Sequence, residues 1–138
     1  MEIVWHELTG GLSHPDELIR VIVRLFAALV LGGMVGLQRE RVGKAAGMRT
    51  HILITMGTAS FVLAGMSFDM QTDALSRVIQ GVTTGVGFIG TGTILKQTEK
   101  SEIRGLTTAA GLFMTAAIGV AVGLGKIGLA AVAAVLAW

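Results

Sequence analysis

The sequence predicts an all-α polytopic membrane protein: a bundle of five transmembrane helices with its N-terminus outside. Three observations carry this. Of 138 residues, 52% are hydrophobic and only 14% charged, where a soluble domain carries roughly 25% charged residues. The mean hydropathy is +0.73, and the apolar residues gather into runs of the length a bilayer demands. The lysines and arginines then concentrate in alternate loops, which is the signature of membrane orientation.

The stretch around which the chain is organised runs from Arg77 to Gly111. No charge falls between Arg77 and Lys96, yet Gly81, Gly85, Gly87, Gly90 and Gly92 do. In water each such glycine costs a helix about 1 kcal/mol against alanine. In a bilayer the backbone must bond internally, and glycine lets neighbouring helices approach closely. Gly85-Val86-Gly87-Phe88-Ile89-Gly90 also spells G-x-G-x-x-G. A dinucleotide site needs a strand before that string and an acidic residue beyond it. Neither fits an uncharged apolar segment, so a nucleotide fold is rejected.

In chain order, residues 1 to 17 carry Glu2, Glu7, Asp16 and Glu17 and no lysine or arginine. This is not a signal peptide, which would begin with a basic region. Trp5 and His6 suit a short interfacial segment. Ser13-His14-Pro15-Asp16-Glu17 reads as a helix start, with proline and two acids in the first turn. The first span follows, about Leu18 to Leu37, with Arg20 and Arg24 near its start. Arg24 either snorkels to the outer interface or faces the bundle and pairs there; both readings stand open.

The second span is Thr50 to about Phe68, the third about Leu75 to Leu95, the fourth about Leu106 to Leu124. The fifth apolar segment, Ile127 to Trp138, would be about 18 Å long as a helix, so the natural chain is expected to continue past Trp138. All 138 residues read as one transmembrane domain. The loop after span one holds Arg39, Arg41, Lys44 and Arg49, and the loop after span three holds Lys96, Lys100 and Arg104. The loop between them holds Arg77 offset by Asp69 and Asp73. Loops one and three are therefore expected in the cytoplasm.

Nine glycines are candidates for helix packing: Gly32, Gly36, Gly81, Gly85, Gly87, Gly90, Gly92, Gly119 and Gly123. Three small-xxx-small pairs lie among them, at 32/36, 81/85 and 119/123. Spans three and four are expected to form the packed centre. Three such faces exceed the need of five helices, so a homodimer or larger oligomer is expected.

With no cysteine there is no disulfide framework and no thiolate metal site. No serine has a histidine and an acid placed to activate it, so no catalytic residue is assigned and the chain is not read as an enzyme. No metal or cofactor site is assigned, and no nucleic-acid partner. The spans lack the carboxylates that a magnesium path would use. Glu40, between Arg39 and Arg41, is expected to pair with one of them or with Arg49. His51 reads as an interface residue or a helix-end hydrogen-bonder. The threonines of spans three and four either bond their own helix or cross to a neighbour.

One polar constellation stands out: Gln38, Arg39, Glu40, Arg49, Thr50, Arg104, Thr107 and Thr108. Three arginines and one glutamate make it net positive, and span four begins beside it with free N–H groups. It reads as a site for an anion, a lipid headgroup or an acidic partner, or as plain positive-inside anchoring with internal pairing. Arg39, Glu40, Arg49 and Arg104 are expected to converge in one hydrogen-bonded cluster, since their helix ends share one membrane depth.

Five motifs resemble one family. G-L-Q-R-E at 36 to 40, A-G-M-R-T-H at 46 to 51, G-V-G-F-I-G-T-G at 85 to 92, R-G-L-T-T-A-A at 104 to 110 and A-I-G-V-A-V-G-L-G at 117 to 125 resemble the MgtC/SapB family of bacterial inner-membrane proteins. The resemblance runs from about Arg24 to Gly128. Gln38 stands where many members have glutamate, Thr91 where alanine is usual, and Lys96 for a common arginine. Longer members add a cytosolic C-terminal domain, which these residues do not include. The resemblance implies a multi-pass inner-membrane regulator tied to magnesium homeostasis, low-magnesium adaptation, virulence and survival inside host cells. It also implies action through other membrane proteins such as the F-type ATP synthase. The alternatives are a magnesium or other small-ion transporter or channel, and a scaffold for a ligand-sensing C-terminal domain.

Overall fold

A computed structural model describes residues 15–67, 72–97 and 102–138, together with Met1, Ile3 and Val4. Five long helices dominate these residues: α1 (Pro15–Arg41), α2 (Met48–Ser67), α3 (Thr72–Gly92), α4 (Leu106–Gly123) and α5 (Ile127–Leu136). A small antiparallel hairpin, β1 (Leu95–Gln97) and β2 (Glu102–Arg104), joins α3 to α4. The sequence suggested only a charged loop there. Pairing Leu95 with Arg104 and Gln97 with Glu102 gives these backbone groups partners between two helix ends. The expectations for Trp5, His6, Ser13, His14, Asp69 and Lys100 fall outside the described residues.

By length and composition, α1 and α4 are apolar enough to cross a membrane, and α5 is a shorter apolar helix. Five crossings are therefore not established by hydropathy. The reason lies in the sequence: α2 carries Arg49, His51, Thr55 and Thr58, and α3 carries Asp73, Arg77, Gln80 and several threonines.

Local chemistry sets the ends of α1. Pro15 opens it with Asp16 and Glu17 in the first turn, and Arg39 and Arg41 sit in the last. Each charge complements the helix dipole at its end. The helix stops in a Schellman motif: Gly43 N–H donates to the Glu40 carbonyl and Lys44 N–H to the Arg39 carbonyl, both at 3.0 Å. Gly43 takes a φ of 68°, which glycine adopts without strain.

Tight glycine faces make the core. On α1, a methyl placed on Gly36 would lie 2.6 Å from Met48 Cα, and one on Gly32 would lie 3.0 Å from the His51 carbonyl oxygen. On α4, Gly119 lies against the Thr58 hydroxyl and the Thr55 carbonyl, and a methyl on Gly123 would come within 2.7 Å of Val62 Cβ. α2 is thus held between two glycine faces, antiparallel to α1 and parallel to α4. Ala28, Val35, Ala59, Ile118, Val122, Ala130 and Ala134 fill the buried centre.

α4 touches all four other helices, so the expectation that span four is central holds. The same expectation for span three does not. A methyl on Gly90 would lie 3.5 Å from Ala109 Cβ, but one on Gly81, Gly85, Gly87 or Gly92 would meet no other part of the bundle within 4 Å. α3 leans on α2 and α4 from one side and leaves Phe88 82% exposed. Gly81 and Gly85, with Gly57 of α2, floor an apolar groove of about 650 Å³ walled by Leu53, Phe61 and Ile89.

Candidate functional site

The polar constellation expected at the ends of the helices divides in two. Glu40 turns toward α2, where its Oε2 accepts a hydrogen bond from Met48 N–H at 2.9 Å. Met48 opens α2, so the carboxylate caps that helix and complements its positive end. The Schellman turn after Arg41 makes this possible by folding the loop back. Gly47 is also needed, since a methyl there would sit 2.8 Å from Glu40 Oε2. Glu40→Ala is expected to destabilise the bundle by about 1 kcal/mol and Glu40→Gln by less, because the amide oxygen still accepts. Unfolding in mixed SDS micelles measures both; equal losses would point to a role for the charge instead.

Arg39 turns the other way, toward α4. Its guanidinium lies over Gly111, with Nε 3.4 Å and Nη2 3.5 Å from where a methyl on that glycine would be. The expected cluster of Arg39, Glu40, Arg49 and Arg104 is therefore not formed. Arg49 is exposed on the first turn of α2 and Thr50 is half-buried. Arg104 is exposed on β2, across from Leu95. Thr107 is exposed and Thr108 is 6% exposed in the first turn of α4.

The cause is helix register. Gly119 and Gly123 lock α4 onto Thr55, Thr58 and Val62 of α2. That places Gly111 and Thr115, rather than residues 104 to 108, level with Arg39 and His51. Thr107 and Thr108 lie about one turn, roughly 5 Å, farther along.

Next to Arg39 a polar seam enters the bundle. His51 is 1% exposed and its Nδ1 lies 2.6 Å from Thr115 Oγ1, itself fully buried. Thr115 Oγ1 is also 2.8 Å from the Gly111 carbonyl. A hydroxyl has one proton, so Thr115 Oγ1 donates either to the Gly111 carbonyl, with His51 Nδ1–H as its own donor, or to His51 Nδ1; the imidazole tautomer sets which. Thr55 Oγ1 donates to the His51 carbonyl at 2.7 Å, and Thr58 Oγ1 to the Ile54 carbonyl at 2.9 Å. His51 is thus a buried bridge between α2 and α4, not a residue of the membrane surface. The sequence reading passed over Thr55 and Thr58. The spacing of Thr55 four residues after His51, on the face that meets Gly32, was the available signal.

Two buried side-chain atoms in this region have no hydrogen-bond partner among the described residues: Gln38 Oε1 and Arg39 Nε. No group of three or more His, Asp or Glu side chains among the described residues is placed to hold a metal ion.

A second arginine closes the opposite end. Arg24 Nη1 donates to the Gly123 carbonyl at 2.8 Å and lies 3.8 Å from Met66 Sδ. The structure therefore decides for pairing inside the bundle over snorkelling. α4 ends in its own Schellman motif, where Gly125 N–H and Lys126 N–H bond the Val122 and Ala121 carbonyls at 2.8 Å. That motif leaves the Gly123 carbonyl over, and Arg24 takes it.

No solved structure matches the chain. Curated proteins do. SrpB of Synechococcus elongatus is 44% identical over 113 residues, covering 74% of this chain and 62% of SrpB. "Putative magnesium transporter YhiD" of Escherichia coli K12 is 44% identical over 111 residues, covering 75% of this chain and 51% of that protein. Protein MgtC of Salmonella typhimurium is 39% identical over 105 residues, covering 76% of this chain and 44% of MgtC. The chain spans about half the length of the curated relatives it matches. The MgtC family model matches residues 25–138, a region that contains the glycine faces, the capping carboxylate, the polar seam and the Arg39–Gly111 end of the α1–α4 contact. The chain belongs to the MgtC family.

Proposed function

We propose that this chain is the membrane part of a magnesium-linked regulator of the bacterial inner membrane, non-enzymatic and acting through contacts with other membrane proteins. The observation that carries this reading is the closed interior. α1, α2 and α4 approach to backbone contact at Gly32, Gly36, Gly119 and Gly123, and His51, Thr55, Thr58 and Thr115 between them bond each other or their own backbone. Such an interior supports a rigid platform better than a hydrated path. The F-type ATP synthase is the partner that the family resemblance suggests. Five crossings with an external N-terminus fit the charge pattern and the alternating helix directions.

The printed description of YhiD favours a second reading, a magnesium transporter. Purified protein in liposomes loaded with a magnesium-sensitive dye separates the two. The regulatory reading expects no flux above empty vesicles, and slower growth in low magnesium when the gene is deleted. Protein-dependent flux that saturates with magnesium would replace it. Because the chain has no native cysteine, orientation can be read directly with Asp73→Cys and Lys44→Cys. An impermeant thiol reagent added to intact cells is expected to label only the first.

A further inference from the structure

We propose that the groove between α3, α4 and α5 seats one acyl chain of an anionic phospholipid, with the lipid phosphate held at Lys126. The groove has a volume of about 280 Å³. Ile79 of α3, Phe113 of α4 and Leu129 of α5 line it, together with the small side chains of Ala117 and Ala121. From Phe113 to Leu124 the lining follows α4 and its cap for about 16 Å. Spread over that length, the volume gives a section of roughly 17 Å², against roughly 80 Å² for a helix 10 Å across. A single extended hydrocarbon chain fits that section and a helix does not.

Apolar burial alone would accept the chain of any lipid; the charge at the mouth does the selecting. Lys126 is the only charged residue among the described lining. The turn after α4 puts it there: Gly125 takes a φ of 77°, and Lys126 N–H bonds back to the Ala121 carbonyl at 2.8 Å. α4 is apolar enough to cross the membrane, so a lysine just past its end stands at the depth of the lipid phosphates. The neighbouring helices offer little to neutralise it. No acid follows Glu102 in the sequence, which leaves α4 and α5 with none. The acid of α3, Asp73, lies about 9 Å along that helix from Ile79. Arg24 adds a second cation at this end, since a methyl on Gly125 would lie 2.7 Å from its Nη2. A positive mouth on an apolar trough is complementary to a chain that carries a negative headgroup. The larger groove over Gly57, Gly81 and Gly85 has no charged residue in its lining, so nothing there selects an occupant. The proposal holds whether the chain regulates or transports.

Native mass spectrometry of the purified chain tests it. The protein is released from detergent micelles holding equal amounts of phosphatidylglycerol and phosphatidylcholine with the same acyl chains. One lipid retained per chain is expected, with phosphatidylglycerol favoured about fivefold, the weight of one lysine beside an anionic headgroup. Lys126→Gln should bring the two lipids level. Arg20→Gln, an equal loss of charge at an exposed position of α1, should keep the preference. Ala117→Phe fills the groove from an exposed position of α4 and should remove the retained lipid of either kind; Ala117→Leu makes the same test if the phenylalanine variant does not fold. Equal retention of the two lipids by the parent overturns the proposal. So does retention unchanged by a filled groove, or an equal loss of preference in Lys126→Gln and Arg20→Gln. A dimeric mass that disappears in Ala117→Phe would assign the groove to a second copy and overturn it as well.

Discussion

Gly119→Leu is expected to prevent recovery of the folded bundle, while Gly85→Leu is expected to leave it close to the parent. The two glycines look alike in sequence, each in a small-xxx-small pair within an apolar run. They differ in what a side chain would meet. Any carbon added at Gly119 collides with the Thr58 hydroxyl and the Thr55 carbonyl, whereas a methyl at Gly85 would meet no neighbouring helix within 4 Å. The Thr55 carbonyl is backbone, so α2 and α4 would have to separate. Even Gly119→Ala should cost about 1–3 kcal/mol, the usual range for overpacking a well-filled contact. Gly85→Leu only adds apolar surface to an open groove. Unfolding in mixed SDS micelles would rank the three. A Gly119→Ala protein that unfolds with the parent would sink the α2–α4 glycine contact. A Gly85→Leu protein that fails to fold would show the open face of α3 to be a contact in the membrane.

Removing Arg24 should give the second-largest loss. Arg24→Leu leaves the Gly123 carbonyl without its donor at the end of α4, where the Schellman bonds cannot reach it. A hydrogen bond from a charged donor contributes about 1.5–3 kcal/mol, or roughly a ten- to hundredfold change in the folding equilibrium. An opposing effect exists: leucine is easier than arginine to place in a bilayer. That gain applies to the unfolded chain in the membrane as well, so it largely cancels in the folding equilibrium. Arg20→Leu is the control, because Arg20 is exposed one turn earlier on the same helix. Equal stability of the two variants would mean that Arg24 lies at the interface and that its bond to Gly123 contributes nothing.

The sequence by itself determined the class of this protein and most of its helix boundaries. Composition placed it in a membrane, and Pro15, Gly43, Gly105 and Gly125 punctuate the chain where the helices start and stop. These features are local, and each acts within a turn of its own position. Five sequence motifs also carried the family, because they preserve order along the whole chain. The tertiary structure alone decided which glycines are interior. An i, i+4 pair specifies a smooth face but not the helix that covers it, so 32/36 and 119/123 close on α2 while 81/85 stays open. It also decided the partners of the charges. Adjacent arginines made an ion pair the natural expectation for Glu40, yet the loop carries its carboxylate to Met48 N–H. The helix ends seemed level in sequence, but the glycine contact between α2 and α4 slides α4 until Gly111 and Thr115 meet Arg39 and His51. Register between helices far apart in sequence is set by the sum of side-chain contacts along both, and no single stretch of residues encodes it.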